Sequence, residues 1–342
     1  MRAKSIVRYM KAALTNNRTR HRPIWLWGAP GGGKSAIVKS AAKEIGLRVI
    51  DRRAVTFDPV DVRGVPHVGE WMIGDQAVKS TDWAIPAMFL RLGEEPTVLF
   101  LDEFAQAAPT VQSAFLQLVL DRCLDEFLLP DNVVIVAASN RQEDRAGSNR
   151  VITPMLSRFI HVDFEVNLED FTKWGIGNGL RGEVFSYLNY KPDQLMTFDP
   201  KSPAKAFACP RTWEFASDQL FLDLPIDILQ EALAGTIGAG TASDFCAFLE
   251  VHTKLPTVDD IRKNAKTMDV PKQPDICWAT IGMLVEAMRN DKTMTEPAVE
   301  YMLRMMPEYA TMAAKSAIVA NPAVLHLRSF KEFTKDNAEL LC

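Results

Sequence analysis

Residues 28–35 read Gly-Ala-Pro-Gly-Gly-Gly-Lys-Ser, a full match to the G-x-x-x-x-G-K-[ST] pattern, and their flanks constrain the fold more than any other stretch. Before them comes Pro23-Ile24-Trp25-Leu26-Trp27, short and apolar enough for a buried strand. After them comes Ala36-Ile37-Val38-Lys39-Ser40-Ala41-Ala42-Lys43-Glu44-Ile45, with apolar residues at helical spacing and Gly46 placed as a C-cap. A strand, a glycine-rich loop and a helix in this order turn backbone N–H groups and the positive helix end toward one point. That arrangement suits a polyphosphate such as that of ATP. Gly28, Ala29, Pro30, Gly31, Gly32, Gly33 and Ala36 are therefore expected to border the phosphates. Lys34 is expected to reach the β- and γ-phosphates and Ser35 to ligate Mg²⁺.

Around this motif, strand-like and helix-like segments alternate, which predicts an α/β layer built on a parallel sheet. Residues 23–27, 47–51, 97–101, 133–139 and 159–164 read as strands, and residues 6–15, 34–45, 81–92, 110–121 and 154–158 as helices. Residues 52–95 are too long for a simple connection; within them, residues 65–74 suggest a turn-rich insertion with exposed aromatic and apolar side chains. Beyond residue 166 the strand signals fade. Helical patterns cover residues 168–174, 182–188, 210–222, 226–234 and 242–250, then 276–289 and 296–306. The expected organisation is an α/β core over 1–166, a helical domain over 167–257 and a helical C-terminal extension over 258–342.

The chain has 342 residues, 47% hydrophobic and 24% charged, ordinary values for a globular protein. It holds no apolar run of membrane-spanning length and no secretory-type leader, so a cytoplasmic location is expected. Cys123, Cys209, Cys246, Cys277 and Cys342 form no C-x-x-C pair and read as buried or incidental thiols. A net charge of −4 provides no global attraction to nucleic acid. The basic stretch Arg18-Thr19-Arg20-His21-Arg22 lacks interleaved aromatic residues and reads as a solvated loop.

A phosphate loop alone does not separate a motor from a kinase or a switch. Val98-Leu99-Phe100-Leu101-Asp102-Glu103 narrows the choice, because a buried strand delivers both carboxylates to its C-terminal edge, where open α/β sheets bind ligands. Asp102 is placed to hold Mg²⁺ and Glu103 to orient or deprotonate an attacking water. The strand at 133–139 ends in Asn140, an amide able to position the same water or touch the γ-phosphate. Pro154-Met155-Leu156-Ser157-Arg158-Phe159 puts an arginine just before the last strand, where it can stabilise charge on a transferring phosphoryl group or cap its own helix.

This order of motifs resembles that of AAA+ ATPases, and Asp102-Glu103-Phe104-Ala105-Gln106-Ala107-Ala108-Pro109-Thr110-Val111-Gln112-Ser113-Ala114-Phe115-Leu116 is similar to the MoxR branch. Downstream, Cys209-Pro210-Arg211-Thr212-Trp213-Glu214 resembles that branch's Ser-Pro-Arg at the start of a lid helix, and Asp58-Pro59-Val60-Asp61-Val62-Arg63-Gly64 its Asp-Leu-x-Gly segment. The resemblance covers roughly residues 24–220. It implies a P-loop AAA+ core, a five-stranded parallel sheet flanked by helices, with residues 167–257 as an α-helical lid followed by the helical extension. It also implies Asn140 as sensor 1, Arg158 as an arginine finger acting in trans, and Arg211 as sensor 2; Arg145 and Arg150 compete with Arg158 for the finger role. Its further implications are a hexameric homo-oligomeric ring and chaperone-like remodelling of a partner protein, often one with a von Willebrand factor A domain. Two departures stand out. The hairpin before the sensor 1 strand is confined to residues 123–132, and Arg141 stands where the family usually has proline.

Two other functions are compatible with the motifs. One is a nucleic-acid-directed AAA+ protein, a helicase loader or replication or packaging accessory, supported locally by Arg18–Arg22. The other is a nucleotide-gated binding module with little turnover, against which an intact Glu103 argues.

Overall fold

Apolar runs such as Val98-Leu99-Phe100-Leu101 form strands where both faces of a sheet are covered, and helices here cover both. The computed structural model describes residues 1–144, 151–252, 255 and 257–336. Its chain packs as two compact units, Met1–Val166 and Asn167–Cys342.

The first unit opens with α1 (Ala3–Thr15), β1 (Ile24–Trp27), α2 (Lys34–Glu44) and β2 (Arg48–Arg53). There follow α3 (Pro59–Arg63), a hairpin of β3 (Val65–Ile73) and β4 (Gln76–Ala84), and α4 (Ala87–Leu90). Next come β5 (Thr97–Asp102), α5 (Pro109–Ala114), α6 (Leu116–Asp121), a minimal hairpin of β6 (Cys123–Leu124) and β7 (Phe127–Leu128), and β8 (Val133–Ser139). The last elements are α7 (Thr153–Leu156) and β9 (Ile160–Asp163).

The five expected core strands form one parallel sheet in the order β2-β5-β8-β1-β9. Their side chains alternate between two cores. Ile24, Leu26, Val98, Phe100, Val136 and Val162 pack under α1 and α2. Trp25, Leu99, Leu101 and Ile135 pack on the other face against Phe104, Phe115 and Met155. Register then positions the candidate motifs: Trp27 pairs with Ser139 and with Asp163, and Leu101 with Ala137. The C-terminal ends of β1, β5 and β8 therefore lie side by side.

One expected element differs. The helix expected over 81–92 is replaced by the end of β4 and the short α4, separated at Pro86. Cross-strand pairing decides this segment: Gly74 and Asp75 close a tight turn, and β4 pairs residue by residue with β3 from Ile73↔Gln76 to Val65↔Ala84. The exposed apolar insertion is found as this ribbon, with Val68 71%, Met72 66% and Ile73 70% accessible.

The second unit is helical: α8 (Leu168–Gly177), α9 (Gly182–Tyr190), α10 (Pro210–Gln219), α11 (Ile226–Ile237), α12 (Ala239–His252), α13 (Val258–Asn264), α14 (Pro274–Asn290), α15 (Thr295–Met302), α16 (Pro307–Ala320) and α17 (Arg328–Asp336). Its core joins Ile176 and Phe185 to Leu284, Tyr301 and Phe330. Cys209, Cys246 and Cys277 are buried free thiols, while Cys342 lies outside the described residues. None of the described helices is long and apolar enough to cross a membrane.

Helices α9 and α14 meet backbone to backbone because both present glycine at the crossing. A Cβ on Gly282 would lie 1.7 Å from Ser186 Oγ and 2.7 Å from the Gly182 carbonyl oxygen. A rotating hydroxyl relieves the first clash but not the second. We expect Gly282→Ala to destabilise this unit by about 1–3 kcal/mol, read as a lower urea midpoint with an unchanged m-value.

Candidate functional site

The loop after β1 is held open from beneath. Gly28 N donates to the Ser139 carbonyl oxygen at 3.3 Å, tying the loop's first residue to the end of β8. Gly33, at φ +102°, takes a backbone setting that side chains rarely adopt and starts α2 at Lys34. A Cβ on Gly28 would stand 3.1 Å from the Phe164 carbonyl oxygen, so the loop lies close against the chain leaving β9.

Lys34 is 8% exposed, and its ammonium donates to the carbonyl oxygens of Gly28 (2.8 Å) and Ala29 (3.0 Å) and to Asn140 Oδ1 (2.8 Å). Ser35 Oγ donates to Asp102 Oδ2 at 2.7 Å, and Asp102 Oδ1 accepts the Glu103 backbone N–H at 2.9 Å. Side chains from the ends of β5 and β8 and from the first turn of α2 thus converge beside the carbonyls of the loop after β1. Glu103 adopts φ 56°, a left-handed setting unfavourable for a residue with a side chain. The chain turns sharply there and leaves β5 in a 3₁₀ turn, Phe104–Gln106.

Residues 24–166 match the ATPase family associated with various cellular activities (AAA). This segment is an AAA ATPase domain with the P-loop AAA+ fold. Over 133 residues, 36% of the chain, the sequence is 31% identical to Protein SAV of Sulfolobus acidocaldarius, and the match spans 15% of that protein. Among solved structures, the chain is similar to the Thermotoga maritima RuvB Holliday junction branch migration motor (18% identity, 77% of this chain and 74% of that one, TM-score 0.41). It is also similar to a replication initiator DnaA bound to AMPPCP and single-stranded DNA (17% identity, 98% and 93% covered, TM-score 0.39).

Within the AAA domain, Arg158 joins none of the hydrogen bonds given above for Lys34, Ser35, Asp102 and Asn140. Arg158 follows α7 and donates from Nη1 to the Pro154 carbonyl oxygen of that same helix. Its Nε is buried and meets no acceptor among the described residues. Arg145 and Arg150 lie outside the described residues. In the second unit, Arg211 is exposed on the first turn of α10. It sits near Glu214, whose carboxyl is pushed above its ordinary range by burial and by Asp218, with Arg211 opposing.

Other residues that shape the site escaped sequence reasoning. Arg141, noted only as a departure from a family proline, donates from Nη2 to the Phe164 carbonyl oxygen at 2.9 Å. Ser139 is 1% exposed, and its hydroxyl accepts from Trp25 Nε1 (2.9 Å) and from Ala105 N (2.8 Å) while donating to the Ala138 carbonyl oxygen (2.8 Å). A serine closing an otherwise apolar strand was the available signal. Ser139→Ala would leave two buried donors unpaired, at a cost of about 1–3 kcal/mol each. We expect a matching loss of stability in chemical denaturation and a weakened affinity for nucleotide.

Proposed function

We propose that this chain is a MoxR-like AAA+ ATPase that hydrolyses ATP to ADP and phosphate within a homo-oligomeric ring, using the cycle to remodel or assemble a partner protein. The observation carrying the ATPase reading is the 2.7 Å hydrogen bond between Ser35 and Asp102, beside Lys34 and Asn140. A hydroxyl and a carboxylate in contact make a hard-oxygen donor pair, which fits Mg²⁺. Lys34 already gathers three oxygen acceptors, a setting that fits a phosphate oxygen as an alternative partner. Bound Mg²⁺ supplies positive charge to the phosphate oxygens.

In this reading the loop N–H groups from Gly31 to Ser35 and the positive end of α2 hold the polyphosphate. Lys34 neutralises the terminal phosphates. Glu103 orients the attacking water and takes its proton, Asn140 fixes the geometry as sensor 1, and Arg158 completes the neighbouring subunit's site. Arg211 takes the sensor 2 role on a lid formed by residues 167–257, with residues 258–342 as an extension. A hexamer is the expected ring. The remodelling role draws on the likeness of residues 102–116 to MoxR proteins and on the exposed apolar ribbon of β3 and β4, suited to contact a protein client. A partner with a von Willebrand factor A domain is the leading candidate.

The reading expects ATPase activity per subunit to rise steeply with protein concentration. Lys34→Ala should abolish nucleotide binding, and chelation of Mg²⁺ should abolish turnover. Glu103→Gln and Arg158→Ala should each lower kcat by about 10²-fold or more while nucleotide still binds. A rate per subunit independent of concentration and indifferent to Arg158→Ala would overturn the ring. Stimulation by single-stranded DNA that fades with salt would favour the nucleic-acid reading instead.

A further inference from the structure

Helix α7, which carries Arg158 just behind it, spans 4 residues, too few to be stable alone. Val151, Met155 and Phe159 anchor it in the core. Two side chains, one from α5 and one from the adjoining β9, then tie its two ends.

At the N-terminal end, Gln112 Oε1 accepts the Ile152 backbone N–H at 3.1 Å, while Gln112 Nε2 donates to the Ala107 carbonyl oxygen at 3.0 Å. Gln112 is 0% exposed, and an amide buried this deeply must be paired at both ends. Ala107 closes the 3₁₀ turn that begins immediately after Glu103. One amide therefore bridges the turn behind the candidate catalytic acid and the start of the arginine's helix.

At the C-terminal end, His161 Nε2 donates to the Leu156 carbonyl oxygen at 2.7 Å, and His161 Nδ1 accepts from Trp27 Nε1 at 2.8 Å. An indole nitrogen can only donate, so these partners assign the proton to Nε2. Trp27 immediately precedes Gly28, and its ring stacks on Trp25 with centroids 4.5 Å apart. The second tie therefore runs to the root of the phosphate loop.

We propose that Gln112 and His161 are positioning residues that couple each subunit's own nucleotide site to the Arg158 it offers its neighbour. The inference rests on the reading of Arg158 as a trans-acting finger. With both ends of α7 bonded to side chains that bond onward to the turn after Glu103 and to Trp27, a shift of that turn or of the loop after Trp27 moves the helix. Arg158 moves with it, and the two ties act as one lever because α7 has no independent stability.

Mixed assemblies of the full chain test this. A Glu103→Gln subunit keeps a finger but does not turn over, and an Arg158→Ala subunit keeps a site but has no finger. Mixed, the two should recover ATPase activity that neither shows alone. Gln112→Leu placed in the Glu103→Gln subunit, the finger donor, should cut the recovered activity by about tenfold or more. The same change placed in the Arg158→Ala subunit, whose finger is already absent, should leave it within about twofold. His161→Phe should show the same asymmetry and serves if Gln112→Leu does not fold. Equal losses in both placements, or no loss in either, overturn the coupling while leaving the finger intact. Failure of the parent pair to complement overturns the finger assignment itself, and the coupling with it.

Discussion

The hydroxyl of Ser139 holds the candidate site together. In a parallel sheet the strand ends lie in register but the loops leaving them do not hold one another, so something must fix their mutual positions. Here Trp25 from β1 and Ala105 from beyond β5 both donate to Ser139 Oγ, and the Ser139 carbonyl takes the first N–H of the phosphate loop. In the surrounding apolar core each of these donors would be costly if left unpaired, which favours one arrangement of the three loops over its alternatives. The 2.7 Å contact between Ser35 and Asp102 depends on that arrangement, because one partner opens α2 and the other ends β5.

Much of the core was readable because its determinants are local. The phosphate loop is contiguous, its strand and helix flanks announce themselves by apolar spacing, and β5 and β8 are apolar runs ending in polar residues. The hairpin was misread for the opposite reason. Trp83, Ile85, Met88 and Phe89 are spaced closely enough to suggest one helix, yet pairing with β3 claims the chain as far as Ala84. Gln112 and His161 were invisible as site residues, since their partners lie 40 and 134 residues away in sequence and only the folded topology joins them. Arg158 was legible as a charge at a strand entrance able to cap its own helix, and its bond to the Pro154 carbonyl is that local contact.

That bond also describes what Arg158 would give up in the proposed finger role. A guanidinium held by its own helix is partly satisfied, and reaching an acceptor elsewhere means exchanging the Pro154 carbonyl for a partner strong enough to compensate. A charged phosphate oxygen is such a partner, because charge-assisted hydrogen bonds exceed those to a neutral carbonyl. The resting geometry of Arg158 therefore discriminates against weak acceptors without any residue dedicated to that purpose.

The ribbon of β3 and β4 poses a different problem. Two strands leave both outer edges unpaired, and apolar side chains near the turn make such an edge an invitation to another molecule's backbone. The register sets Glu70 opposite Lys79 and His67 opposite Asp82 along its length. A strand adding at either outer edge would bring its own side chains beside these charged ones. The ribbon thus displays Met72 and Ile73 near its turn while charged side chains along its shaft make edge pairing less favourable.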